Sequence, residues 1–273
     1  MVDIVFTNNQ TGYVLGNNVY KTTDGGLNWN KLSSSFSTPI NMVLSPDGKV
    51  FVFNRTSTIY RSVDGGASFS AINAGGSEAT DGSFIDANNG YSITTSGLVK
   101  SSDGGSSWVL VTPSTGLSLS STSYNTCSIT SASTGCIATG ADIYKSNGSL
   151  NSWIKSSFSG ASPTDGRTCL YAISASAIYA GNGNGKIFKS TDGGAVFTYI
   201  STLTYFSNYL DLHFIDATTG YASIGRRIYK TVDGGQNWQV VVVMGESIFT
   251  EIYFTDASHG WACTNKGEIL RFN

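Results

Sequence analysis

The stretch Thr22-Thr23-Asp24-Gly25-Gly26-Leu27-Asn28-Trp29 decides the fold of this 273-residue chain, because near copies of it recur along the whole length. Each clear copy has a hydroxyl residue, then Asp-Gly-Gly, and an aromatic residue at the eighth position. The clear copies begin at Thr22, Ser62, Ser101, Ser190 and Thr231. A degenerate copy from Ser146 to Trp153 lacks the aspartate, and successive aromatic residues lie 39 to 45 residues apart.

Two further elements repeat with the same period. An apolar strand, a turn and a Gly-aromatic pair precede each copy, as in Phe84 to Tyr91. A short apolar strand ending in a basic residue comes directly before it, as in Val19-Tyr20-Lys21. The basic residues of this strand number seven: Lys21, Arg61, Lys100, Lys145, Lys189, Lys230 and Arg271. The chain therefore contains seven units of about 40 residues.

Each unit has room for four short strands, which we call A to D. In the first unit they are Ile4 to Thr7, Tyr13 to Gly16, Val19 to Thr22 and Asn28 to Leu32. Four strands in a repeat of about 40 residues are typical of a blade of a β-propeller. We predict an all-β, seven-bladed β-propeller forming one domain over 1–273, with antiparallel four-stranded blades at about 1–35, 36–73, 74–112, 113–157, 158–201, 202–243 and 244–273.

The seventh unit departs from this pattern. It supplies strands A (Thr250 to Phe254), B (Trp261 to Thr264) and C (Ile269 to Phe272), and the sequence then stops at Asn273. We predict a three-stranded last blade whose strand C is an open edge. Such an edge can accept a strand donated by a partner.

The repeated Asp-Gly-Gly stretch lies where the chain must reverse between strands C and D, and we call it the Asp-Gly-Gly turn. Glycine accepts the positive φ of a tight turn, and the carboxylate and hydroxyl can accept backbone N–H groups inside it. The aromatic residue folds back onto the sheet. We therefore expect structural roles for Asp24, Trp29, Asp64, Phe69, Asp103, Trp108, Trp153, Asp192, Phe197, Asp233 and Trp238.

These turns resemble the Asp-box, or bacterial neuraminidase repeat. Together with the Phe-x-Asp-x-x-x-Gly-Tyr and Ile-Tyr-Lys elements, the sequence looks most similar to seven-bladed photosystem II assembly/stability factors, over essentially its whole length. The resemblance implies a non-enzymatic propeller that binds a protein partner. Members of that family carry a targeting or lipid-attachment segment and a basic groove for a precursor reaction-centre protein.

Composition narrows the partners. A net charge of −2, with 12% charged residues, argues against nucleic acid as the main partner. No apolar run is long enough for a membrane helix, so we expect no membrane insertion. No metal-binding or cofactor motif is present, and we expect neither. The start shows no signal peptide, which leaves open a protein made without one or a secreted, periplasmic, cell-surface or virion protein whose signal has been removed.

The four cysteines form no Cys-x-x-Cys pair, which makes a zinc or redox motif improbable. We expect unpaired, partly buried thiols. Cys127 and Cys136 flank one predicted hairpin turn and are the best candidates for a disulfide.

Enzymatic function finds little support in the sequence. A sialidase needs three convergent arginines, a Tyr–Glu pair and an Arg-Ile-Pro near its start, and none of the four prolines lies in such a motif. Another glycosidase would need a carboxylate pair. The acids that might meet on the loops are Asp81, Asp165, Asp211 and Glu246 or Glu251. His213 is expected to point opposite to Leu212 and Phe214, toward the channel, and His259 to lie in a turn.

The two faces of the predicted disc differ. One face carries the Asp-Gly-Gly turns and the seven basic residues interleaved with aspartates, which is typical of a solvated rim. The other face, which we call the loop face, carries the B–C hairpins and the D-to-A linkers, and it varies between units as binding loops do. The candidate binding residues on it are Arg55, Arg167, Arg226, Arg227, Tyr124, Tyr205 and Tyr209.

The sequence thus predicts a scaffold that captures a protein or peptide segment on the loop face, in the manner of an assembly factor. A glycan-binding or adhesive surface module is the alternative, favoured by the low charge and the many Ser, Thr and Asn residues. A glycoside hydrolase is a weaker alternative.

Overall fold

The computed structural model describes residues 1–112, 115–119, 125–140, 142–161, 168–205, 207 and 210–272. These residues form a seven-bladed β-propeller, which confirms the predicted fold class. Blades 1 to 4 consist of β1 (Asp3–Phe6), β2 (Gly12–Leu15), β3 (Asn18–Thr22), β4 (Asn30–Ser35); β5 (Pro39–Leu44), β6 (Val50–Asn54), β7 (Thr58–Ser62), β8 (Ser70–Asn73); β9 (Ala79–Phe84), β10 (Gly90–Thr94), β11 (Gly97–Ser101), β12 (Val109–Leu110); β13 (Asn125–Ile129), β14 (Gly135–Thr139), β15 (Asp142–Ser146) and β16 (Trp153–Lys155).

Blades 5 to 7 depart from four strands in two ways. They consist of β17 (Ser157–Ser159), β18 (Thr168–Ala172), β19 (Ile178–Asn182), β20 (Lys186–Ser190), β21 (Val196–Thr202); β22 (Leu210–Phe214), β23 (Gly220–Ile224), β24 (Arg227–Thr231), β25 (Gln239–Val243); β26 (Phe249–Asp256), β27 (His259–Thr264) and β28 (Ile269–Phe272). The last blade has three strands in the described chain, as predicted. Blade 5 gains a fifth strand, because β17 pairs in parallel with the outer strand β21.

The ring closes through its innermost strands. Each strand A packs against the strand A of the next blade, and β26 of blade 7 packs against β1 of blade 1. The second strand of each blade is buried along almost its full length, because it lies between two neighbouring sheets. The hydrophobic core is therefore a set of seams between blades rather than one central mass.

The recurring Gly-aromatic pair builds these seams. A Cβ on Gly220 would lie 2.4 Å from the ring of Phe214 in the same blade, so only glycine leaves room for that ring. The next residue, Tyr221, stacks on Phe254 of the following blade at 3.6 Å. The same stacking joins Tyr179 to Phe214 at 3.8 Å, Phe51 to Phe84 at 4.4 Å and Trp261 to Phe6 at 3.5 Å.

The four cysteines lie in described parts of the chain, and none forms a disulfide. The register explains why the candidate pair stays apart. Cys127 pairs with Ile137, whereas Cys136 pairs with Ser128. Because successive side chains of a strand point to opposite faces, the two thiols lie on opposite sides of the sheet. The disulfide considered for this hairpin is therefore absent from the structure.

Candidate functional site

The Asp-Gly-Gly turns engage their own polar groups. In blade 1, the Thr22 hydroxyl donates to Asp24 Oδ1 at 2.8 Å, and the backbone N–H of Gly26 donates to Thr22 Oγ1 at 2.8 Å. The backbone and side chain of Asn28 donate to the two Asp24 oxygens at 2.9 and 2.8 Å. Hydrogen bonds from Asn28, with a smaller contribution from Thr22, lower the pKa of Asp24 to about 2. Equivalent bonds lower the pKa of Asp64, Asp103, Asp192 and Asp233.

The aromatic residues of these turns pack inward. Trp108, Trp153 and Phe197 are almost fully buried. Trp29, Phe69 and Trp238 are half-buried against the seams of their blades.

Basic residues on the same face lie over rings of their own blade. Lys21 Nζ is 5.3 Å from the centre of the Tyr13 ring and also donates to the carbonyl of Gly65 in the next blade at 3.1 Å. Lysines 100, 189 and 230 lie 4.9 to 5.9 Å from the tyrosine of strand B beside them. Such contacts hold these cations at the seams.

On the loop face, the structure brings together three of the predicted binding residues. The guanidinium of Arg227 lies 5.3 Å from the ring centre of Tyr205, and its Nη1 donates to Thr204 Oγ1 at 3.3 Å. The Tyr205 ring packs on Gly225 in the hairpin between β23 and β24. Next to it, Arg226 is exposed and donates to the carbonyl of Gly245. An aromatic ring and two guanidinium groups thus share one hairpin of blade 6.

The neighbouring hairpins of blades 5 and 7 add cations. Lys186 follows the turn of the blade 5 hairpin, and Lys266 lies in the blade 7 hairpin, where its Nζ meets Glu246 Oε2 at 2.9 Å. Arg55 is exposed on the hairpin of blade 2 and is not in contact with the Arg226 and Arg227 pair. The predicted residues Tyr124, Arg167 and Tyr209 lie outside the described residues.

The central channel is the second candidate site. It encloses about 440 Å³ and is lined by the innermost strands of all seven blades. One position of each strand A, three residues before its last core residue, faces this space. Around the ring these positions hold Asp3, Asn41, Asp81, Thr126, Cys169, Asp211 and Glu251.

Three of these aspartates join neighbouring blades. Asp3 accepts the backbone N–H of Met42 in blade 2, Asp81 accepts that of Cys127 in blade 4 at 2.9 Å, and Asp211 accepts that of Ile252 in blade 7 at 3.0 Å. Burial in the channel nevertheless outweighs these bonds and raises the pKa of Asp81 to about 7. The same desolvation raises the pKa of Asp3 and Asp211.

Asp211 and Glu251 are hydrogen-bonded to each other across the seam between blades 6 and 7. Desolvation first, and the neighbouring carboxylates second, raise the pKa of Glu251 well above its usual range. The pair thus shares a proton at neutral pH. Direct contact leaves no space for a sugar between the two carboxyl groups, which is the arrangement a glycosidase needs.

His213 lines the channel, as predicted from its place in strand A. It lies between the rings of Tyr171 and Tyr253, with centroids 5.1 and 4.9 Å away. Burial lowers the pKa of His213 to about 4, so the ring is neutral at pH 7.

The expected meeting of acids on the loop face is wrong for three of the residues named for it. Asp81, Asp211 and Glu251 line the channel, while Glu246 pairs with Lys266 on the loop face; Asp165 lies outside the described residues. The sequence analysis missed Asp3. A repeated signal was available, because an acid stands three residues before the strand A phenylalanine at Asp3, Asp81, Asp211 and Glu251.

In the part of the chain that the structure describes, no three His, Cys, Asp or Glu side chains are placed to hold a metal ion. No helix within the same residues is long and apolar enough to cross a membrane.

The fold defines a seven-bladed β-propeller whose seams are built from a repeated sequence unit. No protein-family model matches the chain, and no curated protein matches it. Among solved structures, the chain is similar to YCF48 from Cyanidioschyzon merolae, with a TM-score of 0.77 and 20% identity, over 100% of this chain and 94% of that one.

Two other solved structures extend this similarity. A structure of YCF48 bound to D1 peptide has a TM-score of 0.74 and 19% identity, over 99% of this chain and 90% of that one. The WD40 β-propeller domain of Doa1 has a TM-score of 0.71 and 12% identity, over 99% and 91%. At these identities the similarity shows a shared fold.

Proposed function

We propose that this protein is a non-enzymatic scaffold that binds a protein or peptide segment on its loop face, in the manner of an assembly factor. The observation that carries the proposal is the stacking of Arg227 on Tyr205, with the exposed Arg226 beside it. Aromatic and arginine side chains on one rigid hairpin are the groups that most often anchor a protein partner.

Two further observations support this proposal. Lys186 and Lys266 on the adjacent hairpins extend the positive charge over three blades, which favours a segment that carries carboxylates. The similar fold of YCF48 includes a structure bound to D1 peptide, so a propeller of this shape can hold a peptide. We also propose that the Asp-Gly-Gly turns are Asp-boxes with a structural role, as their internal hydrogen bonds suggest.

A selection of peptides tests the loop face directly. Peptides selected from a random display library on the wild-type protein would be titrated against the double variant Arg226→Ala/Arg227→Ala. We expect at least a tenfold loss of affinity with little change in Tm, since both side chains reach the surface. Lys155→Ala, on the outer strand β16, is the matched control and should bind as the wild type does. Equal binding by the double variant would reject this site.

The same variants distinguish the alternatives. Binding on a glycan array that is lost in the double variant, without any selected peptide, would favour the glycan-binding module. Turnover of chromogenic glycosides would favour a hydrolase.

A further inference from the structure

The outer edge of blade 7 differs from every other blade in the described chain. Its third strand, β28, is the last of its sheet, and no strand pairs with its outer side. Ile269, Leu270 and Phe272 are half-buried on this edge. The other six blades show what occupies the corresponding place, so they serve as templates for the missing partner.

In the template blades, the outer strand covers the turn of the following blade. The Cδ1 atom of Leu32, in β4, lies 2.5 Å from where a Cβ on Gly66 would stand, and Ile200 in β21 covers Gly235 in the same way at 3.0 Å. In blade 1 the equivalent glycine is Gly26. Its nearest described side chains are Trp261 and Trp29, and no outer-strand residue covers it.

The outer strand also supplies a hydrogen-bond acceptor. In blade 6, the Trp238 indole N–H donates to Ser201 Oγ of the preceding outer strand at 3.1 Å and to the Gly235 carbonyl at 2.9 Å. Trp29 holds the same position in blade 1. Its Nε1 is buried and has no hydrogen-bond partner among the described residues.

Trp108 also has a buried Nε1 without a partner, although the blade before it has four strands. The sequence of that outer strand accounts for the difference. Asn73 of β8 follows the aliphatic Ile72, as Ser201 follows Ile200, but its Oδ1 accepts the Gly75 N–H at 2.9 Å. A strand that is present can thus leave the indole unpaired, whereas for Trp29 no strand is present to offer an acceptor.

The aromatic part of the missing strand is already replaced. Phe272 stands where other blades have the hydroxyl residue of the turn, and its ring lies 5.4 Å from Phe254. In blades 1 and 6, the tryptophan of the outer strand makes this contact with the strand A phenylalanine, at 5.9 and 6.1 Å. An added strand therefore needs no aromatic residue.

We propose that β28 binds an extended segment of a partner polypeptide, which pairs with it antiparallel and completes blade 7. The segment carries Leu or Ile followed by Ser or Thr, with the aliphatic side chain over Gly26 and the hydroxyl accepting the Trp29 indole N–H. The register follows blade 5, where Phe188 pairs with Tyr199 and Ile187 with Ser201. By analogy, Leu270 faces the residue before the aliphatic one, and Ile269 faces the hydroxyl residue. This second surface is separate from the loop face.

The test uses a peptide that copies β21, acetyl-Val-Phe-Thr-Tyr-Ile-Ser-Thr-amide, and a control peptide with Asp and Ala in place of Ile and Ser. Each is titrated into the full ¹⁵N-labelled chain to millimolar concentration. With the first peptide we expect the Trp29 indole N–H resonance to shift, that of Trp238 to stay, and exchange of the 269–272 amides to slow at least tenfold. The control peptide should cause none of these changes.

A tethered arm covers weak affinity: each peptide is joined after Asn273 by a flexible Gly-Ser linker, which raises its effective concentration. Unchanged Trp29 and 269–272 signals in the tethered form would overturn the proposal. Slow exchange at 269–272 without any peptide, dependent on protein concentration, would also overturn it in favour of pairing with a second copy. Arg226→Ala/Arg227→Ala should bind the β21 peptide as the wild type does, so this proposal and the loop-face proposal fail separately.

Discussion

The indole of Trp261 lies flat on the ring of Phe6, with centroids 3.5 Å apart and planes 12° from parallel. The same indole donates its N–H to the carbonyl of Gly25 at 2.9 Å. These contacts join the last blade to the first. Because no strand is shared across this seam in the described chain, side-chain packing and the contact of β26 with β1 hold the ring closed.

Removing the Trp261 ring should therefore destabilise the whole propeller. Trp261 is fully buried, and truncation of such a ring costs about 3–5 kcal/mol, so Trp261→Ala should lower the free energy of unfolding by that amount. Trp261→Phe keeps a stacking ring and loses the bond to Gly25, which should cost about 1–2 kcal/mol. Urea unfolding followed by circular dichroism measures both. A loss below about 1 kcal/mol for Trp261→Ala would show that the seam does not close the ring.

The carboxyl groups of the channel should make stability depend on pH in an unusual direction. Asp81 has a folded-state pKa of about 7, against a usual value of about 4 in an unfolded chain, so the folded state binds the proton more tightly. The stability that this protonation contributes is complete below pH 4 and is lost as the pH rises to about 7. Thermal unfolding between pH 4.5 and 7.5 should show a falling Tm.

The Asp81→Asn variant separates this effect from other titrations. An amide keeps a carbonyl oxygen for the Cys127 N–H and cannot ionise, so the fall in Tm over this range should be smaller than in the wild type. Glu246→Gln, on the exposed loop face, serves as the control and should follow the wild-type curve. The aspartates of the Asp-Gly-Gly turns, with a lowered pKa, lose their contribution only as the pH falls below about 4. A Tm that rises with pH from 4.5 to 7.5 would contradict the assignment.

Two glycines with the same backbone conformation should respond differently to alanine. Gly105 and Gly148 both have φ of 77°. A Cβ on Gly105 would stand 2.3 Å from Phe51, whereas a Cβ on Gly148 would meet nothing within 4 Å. Gly148→Ala should therefore cost only the strain of a left-handed residue, about 1–2 kcal/mol, and Gly105→Ala about 1–3 kcal/mol more for overpacking. Chemical denaturation of both variants measures the difference, and equal losses would show that the Phe51 ring moves aside freely.

The repeat made the architecture predictable from the sequence. Seven copies of one unit fix the number of blades, and the missing turn after Phe272 fixes the three-stranded last blade. The parallel pairing of β17 with β21 was not predictable, because it joins segments about 40 residues apart without any repeated pattern.

The site was less predictable, because strand alternation tells which face a side chain occupies and not how far along the channel it lies. Asp81 and Asp211 were recognised as candidate acids and placed at the wrong end of their strands. The Arg227 and Tyr205 contact depends on a linker that folds back onto the Gly225 hairpin, and no local pattern encodes that return. Binding loops of a propeller vary for this reason while the blades repeat.

The cysteines supply a last prediction about the rigidity of the hairpin between β13 and β14. Cys127 and Cys136 are buried on opposite faces, and burial raises the pKa of Cys136 to about 12, so neither thiol is reactive in the folded protein. A short pulse of iodoacetamide at pH 8, read by mass spectrometry, should leave both unmodified in buffer and label both in denaturant. Mild oxidation should likewise give no peptide that joins them. A cross-link formed without unfolding would require one strand to slip by a residue, and would show that this hairpin opens in the native state.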